Sequence, residues 1–164
     1  MWSTCCSIAN RKGNMPEKET LERARRDEQE GKLLSTQAGE FVREEMHHIR
    51  EGKHGARSTR QAIAIGLSKA RRAGVKLLPP RRGQASARTR KSATSAYRKG
   101  QRGEKTSAKR SQAKLNALRR EGRSAASHRA LSRQARSAAR RRGNSNRRTA
   151  ARKAARTRSQ ERWS

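Results

Sequence analysis

The chain has 164 residues, with 44 Lys+Arg against 13 Asp+Glu and a formal net charge of +31. Hydrophobic residues are 30% and aromatics 2%, which excludes one large core spanning the whole length. No apolar run is long enough for a signal peptide or a membrane span, and a field of this size suits a polyanion rather than a small-molecule substrate.

Residues 1–14 are expected to be a disordered extension. Trp2-Ser3-Thr4-Cys5-Cys6 carries no pattern, and Met15-Pro16-Glu17-Lys18 reads as a second beginning, where a charged, helix-favouring segment starts. The adjacent Cys5 and Cys6 close no useful loop, so no disulfide framework is expected and a reducing cytosol is the natural setting.

Residues 15–78 read as a small helical domain. Ten of the 13 acids lie between Glu17 and Glu51. A weak helix over 17–30 offers only Leu21 and Ala24, with Leu33 and Leu34 after it. Over 36–51, Ala38, Phe41, Val42, Met46 and Ile49 fall at i, i+3, i+4, i+8 and i+11, one apolar stripe of a 3.6-residue period. Over 59–73, Ala62, Ile63, Gly66, Leu67 and Ala70 form another, leaving Arg60, Lys69, Arg71 and Arg72 for solvent or phosphate. Val75, Leu77 and Leu78 close the cluster before Pro79-Pro80 stops it. A unit this small is near the lower limit for independent folding, so its stability is expected to be marginal.

Glycines punctuate the chain at Gly31, Gly52, Gly74, Gly100, Gly122 and Gly143, and hydroxyls follow at Ser35-Thr36, Ser58-Thr59, Thr106-Ser107, Ser124 and Ser145. Glycine suits the left-handed position after a helix and Ser or Thr the N-cap, so the pattern predicts successive helices joined by short links.

Residues 79–164 read as a basic tail, largely disordered or nascent-helical. From Gly52 onward 35 basic residues face only Glu104, Glu121 and Glu161. From Arg81 the large apolar side chains are Tyr97, Leu115, Leu118, Leu131 and Trp163. Five such residues cannot offset an ordering cost of roughly 1–2 kcal/mol per backbone residue. Of the 28 basic residues there, 22 are Arg. Arginine and alanine favour helix, but like charges four residues apart repel, so these helices are expected to form fully once phosphates neutralise them. Arg129, Arg133, Arg136 and Arg140 make one basic stripe, and Arg148, Arg152 and Arg156 a second. With Arg119, Arg120, Arg141, Arg142, Arg147, Lys153 and Arg158 they are the candidate phosphate contacts.

Several stretches resemble a family of small basic bacterial proteins of unknown function. They are Pro16-Glu17-Lys18-Glu19-Thr20, residues 35–45 (Ser35-Thr36-Gln37-Ala38-Gly39-Glu40-Phe41-Val42-Arg43-Glu44-Glu45), Gly52-Lys53-His54-Gly55-Ala56-Arg57-Ser58-Thr59, and residues 62–75. Ser124-Ala125-Ala126-Ser127-His128 through Ala138-Ala139 is similar to that family's C-terminal part. The resemblance covers most of the chain after Met15 and implies a start there, since members begin Met-Pro; it brings no catalytic residue. The Arg/Ala/Ser tail is also similar in composition to tails of linker histones and bacterial histone-like proteins.

Other chemistry is weighed and set aside. Glu44, His47, His48 and Glu51 place an ExxH spacing on a helix, but a di-metal carboxylate site needs a second ExxH, so the group reads as a solvated face. His54 and His128 read as isolated, and no metal site or cofactor is expected. Residues 62–68 echo the first helix of a helix-turn-helix, yet too few residues separate Ser68 from Gly74 for a recognition helix. Gly52-Lys53-His54-Gly55 lacks a phosphate-loop frame, and no nucleophile–base constellation is present, so no catalytic residue and no enzyme is expected. Only Tyr97 and Trp163 offer base stacking in the basic half. The expected function is histone-like, sequence-nonspecific binding of nucleic acid in a cytoplasmic nucleoid, DNA in preference to RNA. The rivals are an RNA- or ribosome-associated protein and a small helical regulator that the tail merely localises. A membrane-active peptide is disfavoured because the tail helices lack a Leu/Phe/Trp face. The sequence does not set an oligomeric state.

Overall fold

The computed structural model describes the backbone of residues 16–104, 106–141 and 143–161, and within the last segment the side chains of 148–159. The expected extension 1–14, with Cys5 and Cys6, lies outside the described residues, as does Trp163.

The apolar stripe of 36–51 forms a helix, and Phe41 and Ile49 on it are fully buried. Each such side chain removed from water contributes about 1.5–3 kcal/mol. The described residues hold helices and no strand: α1 (Lys18–Gln29), α2 (Leu34–Arg50), α3 (Thr59–Arg72), α4 (Ala87–Gln101), α5 (Ala108–Arg119), a 3₁₀ turn (Ser124–Ala126), α6 (His128–Arg141) and α7 (Gly143–Glu161). The protein is mainly α. Residues 79–164, expected as disordered or nascent helix, are helical through most of their described length. No helix among the described residues is long and apolar enough to cross a membrane.

Two apolar clusters hold the elements together. In the first, Ala24 of α1, Ala38 and Phe41 of α2 and Ala70 of α3 are buried, with Leu21, Leu67, Val75 and Leu77 packed against them. The second joins Met46 and Ile49 of α2, Ala56 and Ala62 to Ala125 and Ala126 of the 3₁₀ turn, flanked by Val42, Ile63 and Leu131. Packing therefore does not end at Pro79-Pro80. Among the described residues the arginine-rich half forms no apolar cluster of its own, but its small alanines close the core of the helices before it.

Side-chain and backbone hydrogen bonds fix this attachment. Thr59 Oγ1 donates to the Ala125 carbonyl at 2.7 Å, and Arg50 Nε donates to the Ala126 carbonyl at 3.1 Å. The Gly55 and Ala56 amides donate to the Leu118 and Gly122 carbonyls at 2.9 and 3.0 Å. These bonds satisfy loop backbone groups that burial would otherwise leave unpaired.

Some sequence expectations are corrected. Lys69 and Arg71, expected to face solvent or phosphate, are buried. Arg71 turns inward to donate from Nε to the Leu77 carbonyl at 3.0 Å and from Nη2 to the Leu78 carbonyl at 3.3 Å, tying down the segment after α3, and burial pushes its pKa down. Leu78, expected to close the cluster, is 69% exposed, as its carbonyl rather than its side chain meets the core. Gly31, Gly52, Gly74 and Gly143 do take positive φ after or between helices, whereas Gly100 sits inside α4 and Gly103 takes the left-handed turn in its place. Ser58 caps α3 by accepting from the Gln61 amide, and Ser86 caps α4 by accepting from the Thr89 amide. Ser35 and Thr36 instead lie within α2, whose N-cap is Leu33.

Candidate nucleic-acid interface

α6 is positioned by Leu131, which packs against the second apolar cluster and turns the opposite face of the helix outward. Arg129, Arg133, Arg136 and Arg140 are all exposed, so the predicted stripe exists as one solvent-facing row. Arg141 is also exposed, its guanidinium donating to Ser137 Oγ at 2.9 Å. On α7, Arg148, Arg152, Lys153, Arg156 and Arg158 are exposed, as is every other described side chain of that helix. Arg119 and Arg120 end α5 in solvent. Arg142 and the side chain of Arg147 lie outside the described residues.

The packing of α6 creates a groove that no linear reading of the sequence delineates. It measures about 780 Å³ and runs between the N-terminus of α3 and the first turns of α6. Arg57, Ser58, Thr59 and Arg60 line it from the α3 side, and Ser127, Arg129 and Arg133 from the α6 side. Arg60 Nε reaches across to Gln134 Oε1 at 3.3 Å. The N-terminal ends of two helices open here, each adding partial positive charge to that of the four guanidiniums. Such a groove can take phosphate oxygens from two sides. Arg57 is the groove-lining arginine that sequence reasoning missed; the Ser58-Thr59 capping signal marked the helix start but not what would pack opposite it.

Charge pairing differs sharply along the chain. Among the described residues, most of the acids of 17–51 are engaged in ion pairs, such as Arg23–Glu40 at 2.7 Å and Lys32–Asp27 at 2.9 Å. On α4 only Lys99 is so engaged, with Glu104, and no basic side chain of α5, α6 or α7 forms an ion pair among the described residues. A further basic groove, about 850 Å³, follows α4 past Arg90, Lys91, Arg98 and Arg102.

A separate polar constellation is internal, and here two expectations are corrected. Glu44 and His48, read as part of a solvated face, are 2% and 12% exposed at the side chain; His47 and Glu51 are exposed as expected. His54, read as isolated, is buried beside Glu45, its Nε2 3.4 Å from Glu45 Oε1 and its ring edge-on to that of His48 at 5.9 Å. Lys69 Nζ lies 2.8 Å from Glu45 Oε2 and 3.3 Å from Glu44 Oε1. His48 Nε2 lies 2.8 Å from Glu17 Oε1, and this bond, followed by that of Lys53 at 3.1 Å, holds the Glu17 carboxyl down at about 2. The chain folds back through Gly52, at φ +78, to bring His54 beneath α2, and that reversal is why linear spacing concealed the group.

No curated protein and no solved structure matches the chain. Residues 33–82, covering α2, α3 and the segment that follows, match a family of unknown function, DUF6496.

Proposed function

We propose that the protein binds nucleic acid without sequence preference, in the manner of a histone-like, nucleoid-associated protein of the cytoplasm, with DNA preferred over RNA. The observation that supports this reading is the solvent-facing row Arg129, Arg133, Arg136 and Arg140, free of carboxylate partners and continued by Arg57 and Arg60 across the groove. Guanidiniums without internal partners keep their charge for phosphates, each of which releases a condensed counterion when neutralised. Arginine held on phosphate carries no base information. The proposal involves no catalytic step.

The test is fluorescence anisotropy of the full chain on a short random-sequence duplex, against a variant with those four arginines changed to glutamine. Glutamine keeps the helix propensity while removing charge. The variant should bind more weakly and less steeply with salt. Equal affinity would refute the reading, and tighter binding to RNA of matched length would reassign the partner.

A further inference from the structure

We propose that Glu45, His48 and His54 form a binding site for one divalent transition-metal ion of the zinc class. Their ligand atoms all lie within 4.8 Å of one another. Glu45 is fully buried and His54 is 5% exposed; the Lys69 ammonium stands 2.8 Å from Glu45 Oε2, but Glu45 Oε1 and His54 Nε2 have no hydrogen-bond partner among the described residues.

The hydrogen bonds around the two rings decide what the centre wants. His54 Nδ1 lies 3.2 Å from the Gly55 carbonyl oxygen, an acceptor only, so Nδ1 carries the proton and donates it there. Nε2 then faces Glu45 Oε1, 3.4 Å away. His48 repeats the arrangement: Nε2–H donates to Glu17, leaving the Nδ1 lone pair inward, 4.0 Å from Glu44 Oε1. Glu45 Oε1 and His54 Nε2 thus face each other in a buried space with no hydrogen bond between them, and Lys69 answers only the other Glu45 oxygen, an arrangement that costs free energy unless a cation pairs with these two atoms. For a tetrahedral ion about 2.0–2.1 Å from each ligand, neighbouring donors stand about 3.3–3.4 Å apart, so Glu45 and His54 already have the required separation. His48, within 4.8 Å of both, would have to move closer to complete the set.

Charge and donor type agree. Glu17, Glu44, Glu45 and Glu51 outnumber the Lys53 and Lys69 ammoniums paired with them, and Lys114, which also feels Glu45, leaves the group still negative. Two nitrogens and one oxygen select the zinc class over magnesium or calcium. Glu17 on His48 and the Gly55 carbonyl on His54 are the outer partners that orient metal-binding imidazoles. Because Gly55 and Ala56, next to His54, are clasped by the Leu118 and Gly122 carbonyls, a bound ion would also strengthen attachment of the basic half.

The experiment uses full-length protein carrying Cys5→Ser and Cys6→Ser, to remove competing thiols, stripped with a chelator and titrated with zinc by calorimetry and with cobalt by visible absorption. One ion per chain should bind at micromolar concentration or tighter, with a tetrahedral cobalt spectrum and a raised Tm. His54→Ala should lose at least a hundredfold in affinity, Glu17→Gln about 10–100-fold, and His128→Ala nothing. No saturable zinc binding, or undiminished binding by His54→Ala, overturns the proposal. Should His54→Ala fail to fold, imidazole C–H resonances of the unmutated histidines decide the matter. Those of His48 and His54 should shift with one equivalent of zinc while His128 does not, and unmoved signals overturn the site.

Discussion

Gly100 in α4 lies against the backbone of Arg71 in α3 so closely that a Cβ at position 100 would overlap the Arg71 carbonyl oxygen. The two helices touch through main chain, and the contact depends on the missing side chain.

Gly100→Ala should therefore destabilise the fold, although alanine is the better helix former by about 1 kcal/mol. Neither backbone can rotate away, so α3 and α4 must separate, and overpacking of this kind costs roughly 1–3 kcal/mol. Thermal unfolding followed by circular dichroism measures it. A Tm equal to or above that of the parent would show that α4 does not dock here.

The stripes on α2 and α3 were legible because Phe41, Ile49, Ala62 and Ala70 recur with the helical period and have no other use. Gly100 was not, since a glycine at a helix end and one at a helix crossing look alike in one dimension. Ala125 and Ala126 escaped notice for a related reason: in an Ala/Ser/Arg stretch, nothing local separates an alanine covering Ile49 from one in solvent. Lys69 and Arg71 were assigned to the surface by charge alone. Their burial follows from partners on other segments, the Glu44 and Glu45 carboxylates and the Leu77 and Leu78 carbonyls. The basic character of α6 could be read directly, but the groove could not, because Arg57 and Arg129 are brought together only by the Thr59–Ala125 hydrogen bond and its neighbours.

A fragment of residues 16–80 should be less stable than one of 16–141. Without the 3₁₀ turn, Met46, Ile49 and Ala62 lose the covering provided by Ala125 and Ala126, and the Gly55 and Ala56 amides lose their acceptors. Urea unfolding of the two fragments should give a lower midpoint and a smaller m-value for the shorter one. Coincident midpoints would mean that the basic half adds nothing to the core.

Leu118→Ala should act in the same direction without removing any charge. Leu118 is 4% exposed, the single buried side chain of α5, and truncating a buried leucine costs about 2–5 kcal/mol. Hydrogen exchange of the Gly55 and Ala56 amides, which bond to residues 118 and 122, should accelerate. Unchanged exchange would place α5 outside the cooperative unit.

Within the proposed interface, Arg57→Gln with Arg60→Gln should weaken duplex binding about as much as Arg129→Gln with Arg133→Gln, because the two pairs face one groove. Each lost phosphate contact should reduce the salt slope by about 0.9. Both double variants should weaken random and genomic duplexes uniformly. Wild-type binding by the Arg57/Arg60 variant would remove the groove from the interface and leave α6 and α7 alone.

Binding as a whole should be steep in salt and nearly blind to sequence. If about 8 of the basic residues meet phosphates together, log K against log salt should slope near −7 on duplex DNA, at about −0.9 per contact. The exposed rows on α6 and α7 can supply that number without the buried Lys69 and Arg71, which are committed to the core. Duplexes of one length and different sequence should compete within a few-fold, since phosphate contacts fix position and not base identity. Equilibrium competition across a salt series measures both quantities. A slope near −2, or one sequence favoured a hundredfold, would mean that few arginines reach phosphate and that bases are being read, which would overturn the nonspecific reading.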